Sequence, residues 1–317
     1  MSRLLLPVIA LAVSLAAACS SPDAGGVPEA GGVPEAGGVP EAGGALDAPP
    51  GGVGSPEPAA AIPGLAMSDT ALARHFGDRV GTFVLVDDAT GASIRHNPER
   101  AGTRFIPAST FKIPNTLIAL ETGVASGPEF RLAWDSIVAP REDWWPSSWA
   151  GPHTLRSALP ASAVWYYQEL ARRIGPERMT DYLERFDYGN ASIEGGIDRF
   201  WLTGALRISA DEQVAFLRRF YHGRLGASEA STAMARELLV LEETPDYRFS
   251  GKTGWAALGA QGLPDVGWVV GYVERGGGVY FYALNLEVRG DADVAARMGI
   301  TRAILGELGL VDAQVGR

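Results

Sequence analysis

The chain is poor in three residue types that often carry chemistry: among 317 residues it has one cysteine, four histidines and two lysines. The lone cysteine, Cys19, excludes a disulfide within the chain. The four histidines include no His-x-x-x-His pair, so we predict no metal site. A net charge of −10 argues against nucleic acid as a partner, because phosphate binding needs a basic face.

The scarcity of lysine is the more informative, since 25 arginines supply the other basic side chains. Lys112 ends the segment Ser-Thr-Phe-Lys (109–112), and Lys252 begins Lys-Thr-Gly (252–254). A buried amine can lose its proton and act as a base, whereas a guanidinium stays charged. GC-rich codon usage would also deplete lysine, but it does not explain why both remaining lysines lie in these segments.

The N-terminus has the pattern of an export signal. Arg3 precedes an apolar run over residues 4–18 that ends in small residues typical of a cleavage site. We predict a signal peptide over residues 1–18 and an exported, periplasmic protein. The segment 15–19 (Leu-Ala-Ala-Ala-Cys) is similar to a lipoprotein box whose leucine lies one position too far upstream. Two outcomes stay open: a lipid anchor at Cys19 in the outer membrane, or cleavage that leaves a free thiol.

Residues 19–64 are rich in glycine and proline, and Ala-Gly-Gly-Val-Pro-Glu occurs three times between residues 24 and 41. Such a composition cannot bury a core, so a tether is favoured over a binding repeat. We therefore place the folded, catalytic domain at residues 65–317.

Strand patterns lie at both ends of this domain, with mostly helical patterns between them. The predicted strands cover residues 81–87, 92–96, 249–256, 266–275 and 279–286, and the clearest predicted helices cover 68–76, 110–121 and 294–308. The glycines at 276–278 predict a hairpin. Together the patterns predict an α/β (α+β) fold: one antiparallel sheet flanked by helices, plus an inserted helical lobe and a cleft between them.

Ser109 and Lys112 lie three residues apart at the predicted start of a helix, which puts both side chains on one face. A serine needs a base to attack a carbonyl, and with no histidine nearby Lys112 is the candidate. Phe111, Ile113 and Trp201 would form an apolar surround that lowers the pKa of Lys112. Ser-x-x-Lys also occurs by chance; the alternative is that Ser109 caps the helix and Lys112 is solvated.

The ordered motifs between residues 65 and 312 resemble those of the class D (oxacillinase-type) serine β-lactamases. Ser-x-x-Lys with Lys-Thr-Gly marks the penicillin-recognising proteins as a group. Further segments are typical of class D: Ser162-Ala163-Val164, Tyr188-Gly189-Asn190, Trp201-Leu202, 165–172 and 267–271. The resemblance implies the penicillin-recognising serine β-lactamase/transpeptidase-like fold and hydrolysis of penicillins and oxacillin-type lactams, which confers antibiotic resistance.

The resemblance also implies catalytic roles. Ser109 opens the lactam ring and becomes an acyl ester. Lys112, as N6-carboxylysine formed with dissolved carbon dioxide or bicarbonate, is the general base, and the Trp201 indole N–H donates to its carbamate. Ser162 relays a proton to the leaving nitrogen, and Val164 forms part of an apolar wall. No other cofactor is implied.

The implied substrate-binding residues lie near the C-terminal end of the domain. Lys252 supplies positive potential, Thr253 a hydroxyl for the substrate carboxylate, and Gly254 room for the ligand to approach the backbone. The backbone N–H groups of Ser109 and Trp255 form the oxyanion hole.

Two further assignments follow from the resemblance. Arg297 matches a carboxylate-binding arginine, although Arg289 and Arg302 lie nearby in the sequence. The segment 188–190 lines the edge of the cleft. Thr203 and the stretch 144–153 depart from the family pattern, and this leaves the substrate spectrum open.

Two other functions stay open at this point. A penicillin-binding transpeptidase or carboxypeptidase would share the serine and both lysines but release the ester slowly. A β-lactam sensor domain would form the ester without turnover. The sequence leaves a monomer and a homodimer as alternatives.

Overall fold

The computed structural model describes residues 67–259 and 262–312. The predicted signal peptide (1–18), Cys19 and the tether up to residue 64 lie outside the described residues. Among the helices of the described part, none is both long and apolar enough to cross a membrane.

A six-stranded antiparallel sheet organises the domain, in the order β2-β1-β8-β7-β6-β5. Its strands are β1 (Gly81–Asp87), β2 (Ser93–His96), β5 (Val240–Glu243), β6 (Tyr247–Ala256), β7 (Asp265–Arg275) and β8 (Gly278–Val288). The short strands β3 (Arg131–Leu132) and β4 (His153–Thr154) pair separately. The predicted hairpin is confirmed: Gly276 and Gly277 turn between β7 and β8 with φ of 59° and 78°, which favours glycine.

Helices fill the interval between the two groups of strands and flank the sheet. They are α1 (Asp69–Ala73), α2 (Pro98–Gly102), α3 (Lys112–Glu121), α4 (Leu155–Ala161), α5 (Val164–Ile174), α6 (Pro176–Arg185), α7 (Ala210–Tyr221), α8 (Glu229–Leu238) and α9 (Asp291–Glu307). The predicted helix over 110–121 is divided: Ala108–Phe111 form a 3-10 turn, and the α-helix begins at Lys112. Pro114 fits in the first turn of α3, where backbone N–H groups have no partner within the helix.

Hydrophobic side chains cover both faces of the sheet. On β1, Phe83 and Leu85 join a core with α1 and α9, whereas Val84 joins the larger core under the helical lobe. This alternation is the two-residue period of a strand that is buried on both sides. Each large apolar side chain buried in this way stabilises the fold by about 1.5–3 kcal/mol. The predicted antiparallel sheet with flanking helices and an inserted helical region is confirmed.

Candidate active site

Ser109 lies in the 3-10 turn that leads into α3. It is partly exposed, whereas Ala108 before it and Thr110 after it are fully buried. Ala108 has a φ of 49°, a left-handed conformation that costs a residue with a side chain about 1–3 kcal/mol. The backbone N–H and the hydroxyl of Thr110 both donate to the Pro107 carbonyl, at 3.2 and 2.7 Å. The serine therefore lies on a strained turn that its neighbours hold closed.

The Lys112 side chain is fully buried, and its Nζ lies 2.7 Å from Ser109 Oγ. Burial lowers the pKa of Lys112 well below its usual value, and the nearby positive charge of Lys252 lowers it further. The Tyr167 ring lies 5.4 Å from Nζ and supplies part of the apolar surround. The N-cap positions of the 3-10 turn and of α3 are Pro107 and Phe111, not Ser109, and Lys112 is not solvated, so the alternative of a capping serine and a solvated lysine does not apply.

Trp201 is fully buried and packs on Phe111, the residue that precedes Lys112. Its ring stacks on Phe111 with the centroids 5.1 Å apart and the planes at 28°. The indole Nε1 has no hydrogen-bond partner among the described residues. A buried donor without an acceptor costs about 1–3 kcal/mol, so this N–H is a site for an acceptor group.

Lys252 points into the same region from β6. It is 4% exposed, and its Nζ donates to the Thr253 carbonyl at 3.0 Å. Burial, with a contribution from Arg297, lowers the pKa of Lys252 to about 7. Thr253 is half-buried and Trp255 is 46% exposed, so both line accessible surface near the ammonium group.

Gly254 brings β6 against the turn that carries the serine. A Cβ at this position would lie 3.0 Å from the Pro107 carbonyl oxygen and 3.1 Å from Thr110 Cγ2. The sequence suggested that a glycine here admits the ligand; in the structure its immediate neighbour is the nucleophile turn. Glycine therefore lets the two segments lie in close contact without displacing Pro107 or Thr110.

Arg297 is the arginine of α9 that reaches this strand. Its guanidinium donates to the Gly254 carbonyl, and its side chain passes over Gly267, where a Cβ would lie 2.4 Å from Arg297 Cδ. Burial lowers the pKa of Arg297 to about 10. Arg289 is exposed and Arg302 forms an ion pair with β5, so neither competes for this position.

Ser162 is the C-cap residue of α4 and has a left-handed φ of 58°. Val164 begins α5 and packs against the larger core. The end of α4 lies near β6, because Leu159, Pro160 and residues 251–253 line one cavity of about 230 Å³. The turn that carries Ser162 thus lies beside the Lys252 segment.

The segment 188–190 is more internal than the sequence suggested. Tyr188 is fully buried under the nucleophile turn, with its ring 5.9 Å from that of Phe111, so it does not line the cleft. Asn190 makes hydrogen bonds to a neighbouring loop segment: its side chain donates to the Ala205 carbonyl at 2.9 Å and accepts from the Arg207 N–H at 2.8 Å. Its contribution is to hold the loop rather than to contact Ser109.

None of the four histidines competes with Lys112 as the base. Each pairs with other groups, which are Glu307 for His75, Asp69 for His96, Ser148 and Ser157 for His153, and Asp88 for His222. Within residues 67–259 and 262–312, His, Cys, Asp and Glu form no group of three that could hold a metal ion.

Sequence reasoning missed two side chains that hold the nucleophile segment. Trp268 Nε1 donates to the Ile106 carbonyl at 2.9 Å, and Gln213 Nε2 donates to Thr110 Oγ1 at 2.9 Å. Both come from more than 100 residues away in sequence. No local pattern could have indicated them.

Comparison with known proteins agrees with this geometry. The family model described as penicillin binding protein transpeptidase domain matches residues 81–306. β-Lactamase OXA-5 of Pseudomonas aeruginosa is 42% identical over 231 residues, which are 73% of this chain and 85% of that protein. β-Lactamase OXA-48 of Klebsiella pneumoniae is 39% identical over 71% of this chain and 82% of that protein.

Solved structures show the same similarity. A class D β-lactamase from Nostoc superposes with a TM-score of 0.71 at 40% identity, covering 76% of this chain and 99% of that chain. FUS-1 (OXA-85), a class D β-lactamase from Fusobacterium nucleatum, has a TM-score of 0.73 at 33% identity, covering 78% and 100%. With the buried Ser109–Lys112 pair and the Lys-Thr-Gly strand beside it, these similarities establish that the chain belongs to the class D β-lactamase family.

Proposed function

We propose that Ser109 carries out the β-lactam hydrolysis of this class D enzyme through an acyl ester. The observation that carries the proposal is the 2.7 Å contact between Ser109 Oγ and a Lys112 amine whose pKa burial lowers. Oγ bonds to the lactam carbonyl carbon while its proton passes to the Lys112 side chain. The carbon–nitrogen bond of the ring then breaks, and water later releases the ester.

The surroundings of Lys112 fit the carboxylated form that the family resemblance implies. Only a neutral amine reacts with carbon dioxide, and a fully buried Lys112 is kept neutral by desolvation. The Trp201 N–H, which has no partner within the described part of the chain, supplies a donor that a carbamate oxygen can accept from. When present, the carbamate supplies an anionic base. Its charge would also favour the protonated form of Lys252, which burial and the nearby charge of Arg297 disfavour.

Ser162 and Val164 are proposed to complete the catalytic side of the cleft. Ser162 is half-buried at the end of α4, where its hydroxyl can return a proton to the leaving nitrogen. Val164 packs against the larger core, where it is proposed to limit the access of water to the base.

The substrate carboxylate is proposed to bind at β6. Lys252, Thr253 and Arg297 place two cations and a hydroxyl along one strand, which suits a carboxylate group. The backbone N–H groups of Ser109 and Trp255 are proposed to stabilise the oxyanion, because Gly254 holds the two segments in contact.

Export is proposed from the sequence alone. The apolar run over residues 4–18 and the glycine- and proline-rich stretch after it support a periplasmic enzyme, held by a lipid on Cys19 or released by cleavage. Mass spectrometry of the mature N-terminus from an expressing cell distinguishes the two outcomes.

Light scattering of the purified protein distinguishes a monomer from a homodimer.

Nitrocefin turnover with mass spectrometry of the intact protein tests the catalytic proposal. We expect many turnovers per enzyme and, when the reaction is quenched early, a mass increase of one opened lactam on the peptide that contains Ser109. Because the matching family model also describes transpeptidases, the informative contrary result is a burst of one equivalent without turnover. That result would favour a transpeptidase or a sensor over a hydrolase.

A further inference from the structure

We infer that Gln213 of α7 is a positioning residue for the nucleophile Ser109. Gln213 is fully buried, and its Nε2 donates to Thr110 Oγ1 at 2.9 Å. Thr110 in turn donates its hydroxyl hydrogen to the Pro107 carbonyl at 2.7 Å. The amide of α7 thereby fixes the direction of the hydroxyl that closes the turn around Ser109. The inference rests on the proposed role of Ser109.

The turn needs such support because of its backbone conformation. Ala108 is left-handed with a φ of 49°, and a strained residue of this kind persists only where its surroundings determine it. Gly254 of β6 contacts the turn so closely that a Cβ on this glycine would lie 3.0 Å from the Pro107 oxygen. Gln213 restrains the same turn from α7, so the turn has contacts with both a helix and a strand.

A second observation argues that Gln213 is not retained for packing alone. The other polar atom of the amide, Gln213 Oε1, is buried and has no hydrogen-bond partner among the described residues, and the same holds for the neighbouring Tyr188 hydroxyl. Burial raises the pKa of Tyr188, while neighbouring Thr110 and Gln213 partly oppose the rise. A residue retained only for packing would be better apolar here, because a buried polar atom without a partner costs about 1–3 kcal/mol.

Gln213→Leu tests the inference, because leucine keeps most of the volume and removes the donor. We expect the single-turnover acylation rate with nitrocefin to fall by about 10- to 100-fold, as for a nucleophile displaced by a fraction of an ångström to one ångström. Hydrolysis of an ester already formed should change less. Retention of the wild-type acylation rate would overturn the inference.

Thr82→Val is the matched control for loss of a buried polar contact. The Thr82 side chain is also fully buried and donates to a backbone carbonyl, at 2.6 Å to His96, but it lies on β1 and its hydrogen bonds go to residues 96 and 97 and not to the nucleophile turn. The Thr82→Val variant should have a melting temperature lowered about as much as that of Gln213→Leu, but an unchanged acylation rate. If Gln213→Leu changes only the melting temperature, as Thr82→Val does, Gln213 is structural.

A double-mutant cycle with Thr110→Val locates the effect. If Gln213 acts through the Thr110 hydroxyl, the double variant should acylate no more slowly than the slower single variant. Independent, additive losses would contradict the proposed route.

Gln213→Glu keeps the inference testable if the leucine variant fails to fold. A protonated glutamate can donate to Thr110 but an ionised one cannot, so the acylation rate relative to wild type should fall as pH rises. A ratio that does not change with pH overturns the inference. If the wild-type protein forms no ester at all, the proposed function fails instead, which is a different result.

Discussion

The two lysine segments of this enzyme bury the same side chain in two different settings. Lys112 begins a helix, is fully excluded from solvent and has Ser109 Oγ as its nearest hydrogen-bonding group. Lys252 lies on a strand and donates to the Thr253 carbonyl, and burial lowers its pKa to about 7. Burial lowers the pKa of both amines, and it does so more strongly for Lys112. The Lys112 amine is therefore suited to lose its proton, whereas Lys252 is suited to carry a charge when an anion lies nearby.

Lys112→Ala should have the largest effect, because it removes the base for both steps. We expect turnover of benzylpenicillin to fall by about 10²–10⁴-fold, with an ester that persists on Ser109 if it forms. Lys252→Ala is the contrasting variant and should raise KM more than it lowers ester hydrolysis. Equal kinetic changes in the two variants would remove the distinction drawn between them.

Carbon dioxide should affect the activity through Lys112 and not through Lys252. In degassed buffer without bicarbonate, activity should decline and then recover when bicarbonate is added, and labelled bicarbonate should give a carbamate signal in ¹³C NMR. Acidic pH should also lower activity, since protonation of the Lys112 amine prevents carboxylation. Lys112→Ala is the control that should show no labelled signal; a wild-type enzyme indifferent to bicarbonate would contradict carboxylation.

Trp201→Phe removes the unpaired N–H but keeps the stacking on Phe111. We expect activity at ambient carbon dioxide to be lower by about 10- to 150-fold, because one hydrogen bond to a charged group contributes about 1.5–3 kcal/mol. Added bicarbonate should restore part of it. Trp134→Phe is the control, since that indole donates to the Ala139 carbonyl outside the site. Similar losses in both variants would argue against a specific role.

Gly254→Ala tests the contact between the strand and the nucleophile turn. The added methyl group must move Pro107 or Thr110 by a few tenths of an ångström, so we expect slower acylation and a lower melting temperature. A Cβ at Gly102 meets no atom within 4 Å, which makes Gly102→Ala the matched control. Unchanged acylation in Gly254→Ala would show that the turn adapts freely.

The smallest expected effect concerns stability and pH. Native Lys252 has a pKa of about 7, whereas an unfolded lysine titrates near 10.4. Between these values the unfolded state binds more protons, so the free energy of unfolding should rise with pH by at most about 1.4 kcal/mol per unit. Urea titrations in carbon-dioxide-free buffer should show a shallower slope for Lys252→Met. If the free energy of unfolding has the same pH dependence in both proteins, a group other than Lys252 is responsible for it.

Much of the fold could be predicted from local patterns. The bounds predicted for β1 are those observed, and the glycine hairpin and the closing helix α9 are close, because alternation and turn residues act locally. The predicted start of the nucleophile helix is less accurate: a 3-10 turn precedes Lys112 because Ala108 adopts a left-handed φ. The sequence also gives no sign that Tyr188 is buried, since its neighbour Phe111 comes from a distant segment.

The sequence by itself determined the chemistry available to this protein: two lysines in recognisable motifs, a serine three residues before one of them, and a family whose members share that order. Only the tertiary structure decided that Lys112 is excluded from solvent and that the Trp201 N–H lacks a partner among the described residues. It also decided that Gln213 and Gly254 both contact the turn that carries the serine. The physical reason is that proton affinity and strain depend on desolvation and on contacts between residues far apart in sequence.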